Sequence, residues 1–168
     1  MRTIKGLVSV LVLGIALVVG AAGQTVLTAT DGTSVNVEGP RGKVIVLAVG
    51  ASWLPLSGKQ AEYTNTLVKR YAGRDVAFYF VTTDSARAGA RNFASDEKIR
   101  KFAFENKLGI PVLRDPEGVS ILRKFKVEQV PSFVILDKSG VMIGEPFGGI
   151  DPKYDLTIPI SKTIDRLL

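Results

Sequence analysis

Apolar residues recur along the chain with different spacings, and each spacing predicts a different element. Residues 25–39 alternate apolar and polar side chains about Asp31-Gly32, which predicts a β-hairpin. Residues 43–49 (KVIVLAV) are almost uninterrupted in their hydrophobicity, which predicts a strand buried on both faces. Residues 57–71 place their apolar side chains at helical intervals, and Gly73 is expected to end that helix.

The rest of the chain continues the alternation of strands and helices. The remaining predicted elements are a strand at 75–83, a helix at 96–107 capped by Ser95, an extended piece at 110–115, a short helix at 119–125, two strands within 130–148 across a turn at 138–140, and a C-terminal helix with Pro159 near its start. This order predicts one three-layer α/β domain with a mixed central sheet flanked by helices, covering residues 24–168, with the hairpin as an N-terminal extension.

The N-terminus has the composition of an export signal. Arg2 and Lys5 precede an apolar stretch at 7–19, and Ala21-Ala22-Gly23 forms a small-residue cleavage site. An uncleaved membrane anchor is the alternative, but the apolar stretch falls short of the ~20 residues that span a bilayer. We therefore expect residues 1–23 to be a signal peptide and the protein to be periplasmic or extracellular, with membrane contact only if the segment is retained.

Composition excludes several classes of function. The chain of 168 residues has neither cysteine nor histidine, so it has no disulfide framework and lacks the usual zinc, copper and haem ligands. We expect no metal and no cofactor. Residues 24–168 hold 20 of the 22 basic side chains and all 16 acidic ones, a net charge of +4. No basic stripe interleaved with aromatic residues is present, so no nucleic-acid partner is expected.

The stretch GASWLPLSGKQAEY, residues 50–63, has the form of an active-site loop before a helix. Ser57 and Gln60 have the spacing of a capping box; if the helix starts nearer Leu54, Ser57 is only a small residue in its first turn. A serine nucleophile needs an activating base, which nothing in the spacing supplies. The large apolar residues of this loop either form an exposed contact surface or fold back onto the core; they are Trp53, Leu54 and Leu56.

Charged residues elsewhere show no catalytic spacing. The loop carboxylates Asp84, Asp115 and Glu117 form no pair suited to acid–base work or calcium binding. The basic residues of the following loop and helix are interpreted as solvated faces, with docking as the weaker alternative; they are Arg87, Arg91, Lys98, Arg100 and Lys101.

Three motifs resemble those of exported thioredoxin-fold thiol–disulfide oxidoreductases of the TlpA-like (redoxin) group. Residues 51–57 (ASWLPLS) match the A-T-W-C-x-x-C motif of that group. Val130-Pro131 matches its valine before a cis-proline, and residues 115–118 match its Asp-Pro-Glu-Gly loop. The resemblance implies a thioredoxin fold for nearly all of residues 24–168.

For activity the resemblance implies a loss. The two cysteines of the family fall on Leu54 and Ser57, and a buried carboxylate common in thioredoxins falls on Ala48. Disulfide exchange needs an attacking thiolate and a resolving thiol, so we expect neither oxidoreductase nor peroxidase activity.

Binding is the function that remains on such a scaffold. The resemblance implies a protein or extended peptide as the ligand, or a role as an accessory subunit of a larger assembly. The expected contact residues are Trp53, Leu54, Pro55, Leu56, Val130 and Pro131. A cysteine-free enzyme of another reaction is the alternative, although no residue set supports it.

Overall fold

The structure, a computed structural model, describes residues 24–168. The predicted signal peptide at 1–23 lies outside the described residues. The strands are β1 (Val26–Ala29), β2 (Ser34–Asn36), β3 (Val44–Gly50), β4 (Val76–Thr82), β5 (Val112–Arg114) and β6 (Ser132–Leu136), and the helices are α1 (Ser57–Arg70), α2 (Asp96–Glu105), α3 (Ile121–Lys124) and α4 (Thr157–Leu167).

These strands form one mixed sheet in the order β2-β1-β5-β4-β3-β6. Strands β3, β4 and β5 are parallel and advance in one direction across the sheet, so right-handed crossovers place α1 and α2 on the same face. The predicted N-terminal hairpin is confirmed, and β1 joins it antiparallel to β5. Strand β6 pairs antiparallel with β3 at the opposite edge.

Strand β3 is buried on both faces, as its unbroken apolar sequence predicts. Val44, Val46 and Ala48 contribute to the core beneath α1, α2 and α4. The alternate residues Ile45, Leu47 and Val49 contribute to the second core, which contains Ile121 of α3 and residues of the hairpin. The expected three-layer α/β domain is therefore confirmed.

The predicted second strand after the turn at 138–140 is only partly formed. Two isolated bridges join this segment to β6, between Leu136 and Met142 and between Phe133 and Phe147. Between them lie Gly144, at φ 69°, and Pro146, which has no N–H to donate. These two residues interrupt the ladder, because neither supports continuous pairing in a strand.

The capping box predicted at Ser57 and Gln60 is wrong. Helix α1 has Leu56 at its N-cap, and no side chain within residues 24–168 caps this end. Both Ser57 and Gln60 are fully buried and make hydrogen bonds toward the sheet and the preceding loop. The two side chains are buried instead of capping the helix, because the first turn of α1 packs against the end of β3.

The other predicted helix cap is confirmed. Ser95 precedes α2, and its Oγ accepts a hydrogen bond of 3.2 Å from the Lys98 N–H. Within residues 24–168, none of the helices combines the length and hydrophobicity that crossing a membrane would require.

Candidate functional site

The two halves of the predicted site meet at one end of the sheet. Strand β3 ends where β6 begins, with Val49 opposite Ser132 in their antiparallel pairing. The loop at 51–56 follows β3, and Val130-Pro131 precedes β6. The buried Gln60 amide ties these strand ends together, because its Nε2 donates to the Val49 carbonyl at 3.1 Å and to the Ser132 carbonyl at 2.7 Å.

The positions that match the family's cysteines are held in a compact turn. The Leu54 N–H donates to the Ala51 carbonyl at 3.2 Å, and the Ser57 N–H donates to the Leu54 carbonyl at 3.0 Å. Leu54 is half-buried, whereas Ser57 is fully buried and its Oγ accepts a hydrogen bond of 3.3 Å from the Ala51 N–H. Ser57 is thus a structural residue of the first helical turn, closed to solvent, and is unsuited to nucleophilic attack.

The apolar residues of the loop divide between the core and solvent. Leu56 is half-buried and packs against the core beneath α1. Trp53 keeps 53% of its surface exposed, and Pro55 beside Leu54 is also exposed. Of the two alternatives open from sequence, folding back applies to Leu56 and exposure to Trp53. The loop therefore presents a large aromatic ring to solvent.

The second half of the site offers main-chain groups. The bond between Val130 and Pro131 is cis, as the resemblance implied. Pro131 is buried and Val130 half-buried. The N–H and C=O of Val130 have no hydrogen-bond partner within residues 24–168. An extended segment could satisfy both groups by pairing with them as an added strand.

A buried carboxylate that the sequence did not point to lies beneath the loop. Asp84 is fully buried, and its Oδ2 accepts from the Ser52 N–H at 2.8 Å while its Oδ1 accepts from the Ser52 Oγ at 2.7 Å. The Thr82 hydroxyl donates a short hydrogen bond to the same carboxylate. Asp84 thus anchors the residue that immediately precedes Trp53.

Its position in the sequence could have identified Asp84. The residue follows β4 after one intervening threonine, at the carboxyl end of the parallel strands, and ligands of open α/β sheets bind at that end. Spacing alone indicates only a loop carboxylate with no pair suited to acid–base work or calcium binding. Because three donors already engage it, Asp84 acts as an anchor for the loop. The Ser52 hydroxyl donates its hydrogen to this carboxylate.

The other two loop carboxylates are structural as well. Asp115 accepts hydrogen bonds from the N–H groups of Ser120 and Ile121 at 3.0 and 2.8 Å, which satisfies the start of α3. Glu117 accepts from the Ser85 hydroxyl at 2.6 Å. Asp115 thus positions backbone, and Glu117 holds a neighbouring side chain.

Close packing beneath the loop also explains Gly50. A Cβ at this position would lie 2.4 Å from the Gln60 Oε1, so a side chain does not fit without displacement of the amide. That Oε1 is buried and accepts no hydrogen bond from any described residue. Ala48, at the position matching the thioredoxin carboxylate, is a buried core residue. Position 48 therefore carries no ionisable group.

Ionisable chemistry around the site is sparse. The hydrogen bond that Lys59 Nζ donates to Glu62 at 2.9 Å raises the pKa of Lys59, on the solvent side of α1. In the described part of the chain, no group of three acidic, histidine or cysteine residues could hold a metal ion. What the site offers is an exposed aromatic ring, apolar surface and unpaired backbone, which suit binding.

Comparisons with known proteins agree with this fold. The redoxin family model matches residues 19–152. No curated protein matches the chain in sequence. Among solved structures, a secreted Mycobacterium tuberculosis disulfide oxidoreductase is 19% identical, with a TM-score of 0.65 over 86% of this chain and 96% of that one.

Two further structures show the same likeness. The MTB protein dsbF, in mixed oxidized and reduced forms, is 20% identical, with a TM-score of 0.67 over 86% of this chain and 96% of that one. An exposed lipoprotein thioredoxin from Streptococcus pneumoniae is 22% identical, with a TM-score of 0.67 over 86% of this chain and 100% of that one. These likenesses establish the thioredoxin-like fold.

Proposed function

The chain belongs to the redoxin family yet has no cysteine, and we propose that it is an exported protein that works by binding a protein or an extended peptide. Without a thiol it has no means of forming a mixed disulfide, so any capture at this site is non-covalent and reversible. Leu54 presents an apolar side chain where the family presents its attacking cysteine. A role as an accessory subunit of a larger assembly would use the same surface.

One juxtaposition carries the proposal. The exposed ring of Trp53 and the unpaired main chain of Val130 lie at the ends of two strands that are paired with each other. A peptide pairing with Val130 would extend past Pro131 toward the loop, where Trp53 and Leu54 offer apolar contacts. Main-chain hydrogen bonds would supply affinity, and the ring would supply selectivity for an apolar side chain.

The experiment uses the chain as bait for proteins of its own cell envelope, followed by affinity measurements with the purified partner. Central aromatic anchors commonly carry ~2 kcal/mol or more, so Trp53→Ala should weaken binding about thirtyfold. Leu54→Asp should weaken it as well. Tyr154→Ala is the matched control, because Tyr154 is an aromatic residue of similar exposure outside the loop.

Each variant is first checked for folding by its urea midpoint. Unchanged affinity in both Trp53→Ala and Leu54→Asp would refute this site and move the binding surface elsewhere on the domain. The competing hypothesis of a cysteine-free enzyme has no observation in its favour among residues 24–168, because the Ser52–Asp84 pair is committed to the loop.

Export has separate support. The signal at 1–23 has the order of a cleaved leader, and the related structures include a secreted oxidoreductase and an exposed lipoprotein. Mass spectrometry of the native protein should find a chain that begins near Gln24. An intact Met1 on membrane-bound protein would instead establish the anchor.

A further inference from the structure

Two open clefts border the Trp53 loop on the side of α2. Trp53, Arg91 and Asn92 line one of them. The other lies beside Ser52, and its wall is formed by four residues of α2 or its end: Lys98, Lys101, Phe102 and Glu105. Trp53 and Ser52, which are adjacent in the loop at 51–56, each border a cleft that contains at least one positively charged side chain.

These cations are available to a ligand. Arg91 and Lys98 are exposed, and their side chains have no ion-pair or hydrogen-bond partner within residues 24–168. Lys101 lies 3.9 Å from Glu105 in a pair whose side chains are 73% and 60% exposed, a geometry that contributes little. The buried carboxylate beneath the loop, Asp84, is already engaged by three donors.

Other basic residues of the same segment do not line these clefts. Arg87 lies in an exposed pair with Glu117 at 3.9 Å, and Arg100 donates to the Thr30 carbonyl at 2.7 Å. The cations that line the two clefts are Arg91, Lys98 and Lys101. We call these three side chains the basic rim.

The opposite end of the site has the other sign. A cleft beside the cis-proline is lined by Glu128 and Glu145, with Lys126 as its one cation. A ligand that crosses the site from Val130 to Trp53 thus passes from an acidic to a basic environment. Acidic groups of the ligand are favoured only at the Trp53 end.

From this charge distribution we infer the chemistry of the partner, on the premise of the binding function proposed above. The occupant is an extended segment of a protein that pairs with Val130, places an apolar side chain on Trp53 and presents carboxylates to the basic rim. The unpaired main chain of Val130 fits a peptide. A nucleic acid or an anionic lipid surface fits less well, because the glutamates at the proline end would repel its phosphates.

The inference is tested with three fluorescein-labelled dodecapeptides that share one apolar, strand-forming half. Their other halves consist of Asp and Glu, of the isosteric Asn and Gln, or of Lys. Exposed ion pairs are individually weak, so we expect the three cations together to give the acidic peptide about a tenfold advantage over the neutral one. Fluorescence anisotropy supplies the dissociation constants. The advantage should shrink when NaCl rises from about 50 mM to about 300 mM, because salt screens exposed charges.

Protein variants locate the effect. Arg91→Glu/Lys98→Glu should abolish the preference for the acidic peptide and strengthen binding of the lysine peptide. Lys69→Glu is the matched control, an exposed residue near the far end of α1 and about 18 Å along the helix from Ser57. It should leave the ranking of the peptides unchanged.

The outcomes separate this inference from the proposed function. Equal binding of the acidic and neutral peptides, lost in Trp53→Ala, would overturn the inference and support the binding site. Failure of all three peptides to bind would overturn both. Tighter binding of single-stranded DNA or of phosphatidylglycerol vesicles than of the acidic peptide, lost in Arg91→Glu/Lys98→Glu, would overturn the inference in favour of a phosphate-bearing partner.

Discussion

Replacing Asp84 by asparagine should loosen the Trp53 loop and lower the stability of the domain. The carboxylate is fully buried and accepts hydrogen bonds from the Ser52 N–H, the Ser52 hydroxyl and the Thr82 hydroxyl. Asparagine has the same shape but offers one acceptor oxygen and an NH₂ group. The oxygen that asparagine keeps can still accept from the Ser52 N–H and the Thr82 hydroxyl, and its NH₂ group must donate to the Ser52 hydroxyl. All three bonds then lose their charged partner.

The magnitude follows from the charge and the burial. Hydrogen bonds to charged groups contribute ~1.5–3 kcal/mol each, whereas bonds between neutral groups contribute ~0.5–1.5 kcal/mol each. For Asp84→Asn we expect a loss of about 2–3 kcal/mol in the free energy of unfolding, measured by urea denaturation with linear extrapolation.

Asp137→Asn is the matched control. Asp137 also accepts three hydrogen bonds, from the Ser139 N–H at 2.8 Å, the Ser139 hydroxyl at 2.6 Å and the Val141 N–H at 3.0 Å, but its turn is solvent-exposed. All three bonds end on Oδ1, an oxygen that asparagine retains, and water solvates this turn, so the expected loss is about 1 kcal/mol or less.

Trp53 reports on the loop, because it is the only tryptophan of the chain. In Asp84→Asn its fluorescence anisotropy should fall and its emission should shift, since the residue before it loses its anchor. In Asp137→Asn the emission should match that of the wild type. An Asp84→Asn protein whose unfolding free energy lies within about 0.5 kcal/mol of the wild type, with unchanged Trp53 emission, would refute the anchoring role.

Two further predictions concern the loss of thiol–disulfide exchange and the stability of the domain at high pH. Wild-type protein should reduce insulin no faster than buffer. The variant Leu54→Cys/Ser57→Cys should form an intramolecular disulfide under mild oxidation, because the scaffold still supports the turn of the motif. Two free thiols that persist, counted by mass after alkylation, would show that the alignment of the loop with the motif is wrong. Burial raises the pKa of Tyr79 above its usual value of about 10. The contribution of the neutral Tyr79 side chain to the free energy of unfolding is therefore complete below about pH 10, and it is lost as pH rises through the folded-state pKa. Tyr79→Phe should therefore lose less stability than wild type between about pH 9 and pH 11 in urea titrations, and equal losses would contradict this reasoning.

Local sequence was sufficient for most elements of the fold. The unbroken apolar run of β3 determined that it is a central strand, because only a strand covered on both faces tolerates apolar residues at successive positions. The hairpin and the Ser95 cap were predicted for similar reasons, since turn and cap chemistry act over a few residues. The absence of cysteine alone excludes thiol chemistry, whatever the fold.

Where local signals competed with burial, the sequence was misleading. Ser57 and Gln60 match a capping box, but in the folded protein Gln60 bonds to carbonyls of β3 and β6. One of those carbonyls belongs to Ser132, far away in the sequence, so no local pattern could indicate the bond. Likewise Ser52 lies 32 residues before Asp84, so no local pattern indicates that this carboxylate anchors it.

The exposure of the site was decided only by tertiary packing. Trp53 and Leu56 are both large apolar residues of one loop, and their sequence contains no sign of which faces solvent. Contact with the core beneath α1 half-buries Leu56, while Trp53 stays half-exposed. The sequence by itself determined the fold and the loss of the thiols, because these depend on residue type and periodicity. The proposed binding surface depends on which strand ends become neighbours, and that is settled only when β3 pairs with β6.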